Sequence, residues 1–102
     1  MVVIVFRSRI REAADPEEMA RLGGRMYELA TSMPGFVSYK DFIAEDGENV
    51  SIVEFESLAT LDAWRTHPEH RQAQQRGRDA LMSEYHIQVC ETVRDYAFTA
   101  TT

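Results

Sequence analysis

Residues 33–56, MPGFVSYKDFIAEDGENVSIVEFE, decide the architecture. Pro34-Gly35 stops whatever helix precedes it, because proline disfavours helical geometry in the residue before it and glycine permits a turn. Residues 36–44 and 49–56 are then two runs rich in β-branched and aromatic side chains, separated by Glu45-Asp46-Gly47-Glu48. An Asp-Gly pair between two such runs signals a β-hairpin. The stretch therefore predicts a helix end followed at once by two antiparallel strands.

Toward the N-terminus, Asp15-Pro16-Glu17-Glu18 supplies an N-cap, a proline at the first helical position and two carboxylates suited to the helix dipole. Met19, Leu22, Met26, Leu29 and Met33 follow at steps of three and four, one apolar stripe that predicts core packing. Residues 2–11 before it predict a strand with Phe6, Ser8 and Ile10 on one face and Arg7, Arg9 and Arg11 on the other. Toward the C-terminus, Leu58, Leu61 and Trp64 mark a short helix broken near His67-Pro68. Residues 68–82 predict a second helical segment whose inward face carries His70, Ala73, Gln74, Gly77, Ala80 and Leu81. Gly77 would cost about 1 kcal/mol relative to Ala in an exposed helix, which implies close packing or space for a ligand. Residues 84–94, with Tyr85, Ile87, Val89 and Val93 on one parity, predict the last strand.

The order β-α-β-β-α-β predicts a ferredoxin-like α+β fold, a four-stranded antiparallel sheet with its helices on one face. Strand residues of the second parity, among them Val37, Tyr39, Ile43 and Ile52, leave the other face apolar. Two such sheets packed face to face would cover it, so a homodimer is expected, with Tyr39 at the dimer face and the C-terminal strand and tail reaching toward the partner.

The chain has 102 residues, room for one domain over 1–102, with a tail over 96–102 expected to be extended or at the dimer interface. A domain this small buries only about 60–70% of its unfolded surface, a further reason to expect a partner. The net charge of −6 works against binding a phosphate backbone, so no nucleic-acid partner is expected. No apolar run approaches the roughly 20 residues of a membrane-spanning helix, and residues 2–6 lack the flanks of a secretory signal, which predicts a cytoplasmic chain starting at Met1. Cys90 is the only cysteine and permits no intrachain disulfide.

Three stretches carry a resemblance: residues 3–11, Met33-Pro34-Gly35-Phe36, and residues 52–57 followed by Leu61-Asp62-Ala63-Trp64-Arg65-Thr66-His67-Pro68-Glu69-His70. Together they resemble the antibiotic biosynthesis monooxygenase family of dimeric α+β barrels, over roughly residues 2–95. The resemblance implies a small-molecule cavity between sheet and helices. In one branch it implies a cofactor-independent monooxygenase of a small aromatic phenol or quinol. A haem-degrading branch is matched only at Trp64, because Gln74 stands where that branch has its histidine and Phe6-Arg7-Ser8 contains no Asn. The same barrel also serves non-catalytic small-molecule-binding or stress-response proteins, and its pocket can be vestigial in an assembly module.

Deprotonating a phenol needs a base of near-neutral pKa, and His70, on the inward helix face, is the expected catalytic residue. Trp64, Phe6, Phe36, Phe55, Gln74 and Tyr85 are expected to line the substrate cavity, although aromatic residues on strands equally serve as core. His67, directly before Pro68, reads most simply as a helix cap. Arg7 and Arg9 read as surface or cross-dimer ion pairs, and His86 has no evident partner. His67 and His70 lack the further ligands of a metal set, so no metal is expected, and the resemblance to the phenol-oxidising branch implies no cofactor.

Overall fold

The computed structural model describes residues 1–101. Its elements are β1 (Val2–Ile10), α1 (Pro16–Ser32), β2 (Phe36–Ile43), β3 (Asn49–Phe55), α2 (Leu58–Arg65), α3 (Pro68–Arg76), a π-helical turn (Gly77–Leu81) and β4 (Met82–Glu91). The strands form one antiparallel sheet in the order β2-β3-β1-β4, the ferredoxin-like α+β arrangement expected. No helix among the described residues is long and apolar enough to cross a membrane.

Local chemistry sets the boundaries. Asp15 caps α1 by accepting a 3.0 Å hydrogen bond from the Glu17 amide. Ser57 and Thr60 cap α2 reciprocally, satisfying amides that would otherwise have no partner. His67 caps α3, its Nδ1 accepting from the Glu69 amide at 3.1 Å. Gly35 turns the chain between α1 and β2 at a φ of 80°, and a methyl built there would sit 2.5 Å from Thr60 Cγ2. Both the backbone angle and the space require glycine.

The core lies between the sheet and α1 and α2. Val2 and Ile4 of β1, Val53 and Phe55 of β3, Met26, Leu29 and Ala30 of α1, and Leu61 and Trp64 of α2 are all buried. Met33 and Phe36 pack against this cluster.

The structure departs from the sequence expectation in two places. The helical segment after Pro68 leaves α-geometry at Gly77, widens into the π turn and enters β4 at Met82 with no intervening loop. Arg11 holds this junction: its amide donates to the Leu81 carbonyl at 2.8 Å, and its guanidinium donates to the carbonyls of Arg78, Asp79 and Met82. β4 consequently starts two residues early. It ends at Glu91 because its partner strand runs out, Glu91 facing Val2.

The second departure concerns faces. The β2–β3 register shifts between Phe36 and Ser38, an irregularity that switches the parity of everything after it. Tyr39 therefore faces the helices, its ring 5.5 Å from Tyr27 and 6.3 Å from Trp64, and does not lie on the open face. Ile43 follows it. The helix-free face instead carries the half-buried Val3, Val5, Val50 and Ile52 together with Phe42. Around them Arg7 pairs with Glu48 at 3.0 Å, and Arg9 pairs with Asp46 at 2.8 Å and Glu84 at 3.3 Å, all within the chain. His86, opposite Arg7 on this face, is exposed.

Candidate functional site

A cleft of about 580 Å³ opens between the sheet and the helices α1 and α3. Its floor is the half of the sheet nearer the β2–β3 hairpin: Ile4, Phe6 and Ser8 of β1, Asn49 and Ser51 of β3, and Tyr85, Ile87 and Val89 of β4. One wall is α1, through Met19, Leu22, Gly23, Gly24 and Met26; the other is formed by Trp64, His70, Ala73, Gln74 and Gly77. The size suits a drug-sized molecule, and the lining is mostly apolar with few polar groups.

Five expected site residues meet here: His70, Trp64, Phe6, Gln74 and Tyr85. Phe6 and Tyr85 pack ring to ring at 5.7 Å. Arg78 donates to the Tyr85 hydroxyl at 3.0 Å, which ties this ring to the π turn. Phe36 and Phe55 do not reach the cleft. They lie at the opposite end of the sheet, edge to face at 5.9 Å, where Phe55 is fully buried and stacks beneath Trp64 at 5.5 Å. Their role is to support Trp64 from behind.

His70 also stacks on Trp64, with ring centroids 4.2 Å apart and planes 14° from parallel. Its Nδ1 lies 3.2 Å from the Trp64 carbonyl oxygen. A carbonyl only accepts, so Nδ1 carries the proton and Nε2 presents a lone pair. Burial pushes the imidazole pKa below 6.5; the Trp64 and Arg65 carbonyls pull the other way, and His67 and the Arg65 charge add to the lowering. The ring is thus oriented, neutral at pH 7 and able to accept a proton.

Three features were not legible beforehand. Trp64 Nε1 is buried without an acceptor among the described residues, a deficit costing about 1–3 kcal/mol unless something supplies one. The Ser8 side chain is buried and lines the cleft. Its only sequence signal was a serine at an inward position among Ile and Phe. Gly23 and Gly24 lie inside α1, where a methyl on either would meet nothing within 4 Å. Two helix-interior glycines with empty space beside them widen the cleft at the expense of helix stability.

Among the described residues no group of three or more His, Cys, Asp or Glu side chains is arranged to hold a metal ion.

With this geometry in view, residues 1–76 match the antibiotic biosynthesis monooxygenase family. The chain belongs to that family. It is 30% identical over 78 residues to YqjZ of Bacillus subtilis, a match covering 76% of this chain and 68% of that protein. Among solved structures, Rv0793 of Mycobacterium tuberculosis superposes with a TM-score of 0.81 at 21% identity, covering 94% of this chain and 98% of the other. SnoaB of Streptomyces nogalater, a cofactor-independent oxygenase, superposes with a TM-score of 0.76 at 17% identity, covering 92% and 94%. At these identities the two superpositions speak for the fold, and the antibiotic biosynthesis monooxygenase assignment rests on the sequence match.

Proposed function

We propose that the protein is a cofactor-independent monooxygenase of a small aromatic phenol or quinol. The observation that carries the reading is His70, held in one tautomer by the Trp64 carbonyl and kept neutral by burial, on the wall of an apolar cleft. Family membership and the likeness to a cofactor-independent oxygenase support it.

The chemistry follows from the substrate class. A hydroxylated polycyclic ring with an activated CH2 yields a delocalised carbanion when His70 Nε2 takes one proton. The carbanion passes electrons to O2 and combines with it, forming a C–O bond and, after protonation, a hydroperoxide. Loss of the remaining hydrogen on that carbon with cleavage of the O–O bond leaves a carbonyl and releases water. One oxygen atom enters the product and the other becomes water, so CH2 plus O2 gives C=O plus H2O. The cleft has to bind the ring, remove the proton and favour the anion over its neutral parent.

Oxygen uptake with a panel of anthrones and quinols tests this. The wild type should consume one O2 per substrate, and His70→Ala should lower the rate by about 100-fold or more. Equal rates in the two proteins would remove His70 from the mechanism. Tight binding without oxygen uptake would assign the cleft to a small-molecule-binding protein, the reading its apolar lining also favours.

The working unit is a homodimer in this proposal. Val3, Val5, Val50, Ile52 and Phe42 lie on a sheet face that no helix covers, and Val93, Tyr96 and Phe98 of the C-terminal segment are 89%, 85% and 90% exposed. A second copy supplies cover for both.

A further inference from the structure

The cleft has a second polar station, built on the hairpin and separated from His70 by aromatic rings. Asp41 of β2 and Ser51 of β3 face each other across the ladder, and Ser51 Oγ donates to Asp41 Oδ1 at 2.5 Å. Both line the cleft, as does Tyr39. From His70 the wall runs over the Trp64 ring at 4.2 Å and on to Tyr39 at 6.3 Å. Asp41 lies two strand residues further along the same face, about 7 Å. The carboxylate only accepts, and Ser51 occupies one of its oxygens. What remains is an exposed acceptor at the end of an apolar slot whose other end holds a base.

We propose that Asp41, oriented by Ser51, recognises a second hydroxyl on the ligand and so fixes which end of the molecule faces His70. Its negative charge repels a developing oxyanion and accepts from a neutral O–H, so a diol enters with its ionising end toward His70 and its other hydroxyl at the hairpin. The site thereby selects aromatic diols over mono-ols. The inference rests on the ligand reading of the cleft given above.

Calorimetric titration of the wild-type protein with 2-naphthol and with naphthalene-2,6-diol tests it, because the two probes differ by one hydroxyl. The diol should bind at least about tenfold more tightly, as a hydrogen bond to a charged acceptor allows. Asp41→Asn keeps the shape of an exposed side chain and should abolish that advantage. Ser51→Ala, which keeps the charge and removes its orientation, should reduce the advantage. Mono-ol binding with no diol preference in the wild type, or a preference that survives Asp41→Asn, overturns the inference and leaves the His70 reading standing. Failure of the wild type to bind either probe overturns the inference and the aromatic-ligand reading together. Thermal melts of both variants show whether each is folded, and if Asp41→Asn is not, the Ser51→Ala ratio decides.

Discussion

Protonating His70 would put a cation where burial disfavours one, and the neighbouring His67 and Arg65 act in the same direction. The folded-state pKa therefore lies below the ordinary 6.5. Above pH 6.5 neither the folded nor the unfolded chain carries this proton, and the ring leaves stability unaffected. As pH falls through 6.5 the unfolded chain binds the proton first, so stability is lost down to the folded pKa. The same displacement keeps the base active under mildly acidic conditions. The acid limb of kcat/KM should thus centre below pH 6.5, and the wild type should lose melting temperature between pH 7 and that limb more steeply than His70→Gln. A limb centred above 6.5 would contradict the placement of His70 as a desolvated base.

At the scale of elements, glycines with different surroundings give opposite expectations. Gly77 has helical angles, φ −57° and ψ −48°, and an added methyl would lie 3.6 Å from Met82 Sδ, an ordinary contact. Gly77→Ala should therefore stabilise the α3–π junction by roughly 0.5–1 kcal/mol. Gly35→Ala should cost more than that amount, since the turn has positive φ and the methyl would strike Thr60. Urea midpoints of the two variants check both signs; a destabilised Gly77→Ala would mean that the wide turn tolerates no side chain. Elements with chemical punctuation were legible in the sequence: the Asp15 cap, the Pro34-Gly35 stop and the Asp46-Gly47 turn each bind the backbone locally. The π turn was not, because its hold comes from Arg11, far away in the chain. Nor was the switch of faces in β2, since an irregularity at Val37 leaves no mark in an alternating pattern. Without it Tyr39 falls on the wrong side. Phe36 and Phe55 were assigned to the cleft because parity tells which face a residue takes but not how far along the sheet it sits.

At the scale of the whole molecule, the helix-free sheet face and the C-terminal segment are apolar surfaces left uncovered among the described residues. Fully burying one large apolar side chain contributes about 1.5–3 kcal/mol, so Tyr96 and Phe98 alone would matter to an interface. Light scattering after size exclusion should give the mass of two chains. Val5→Glu, in the middle of the bare face opposite Ile52 and Gln88, should shift that mass to one chain. A wild type that elutes as a single chain would remove the dimer, and with it the proposed role of the tail.

Trp64 is the only tryptophan in the chain, and it stacks on both Phe55 and His70. Its emission comes from one known place, without the averaging that several indoles impose. An imidazolium stacked at 4.2 Å draws electron density from an excited indole more strongly than a neutral imidazole does, so light from this ring registers the charge on its neighbour. The protein thus carries an intrinsic optical probe at the wall of its own cleft, with no label to attach.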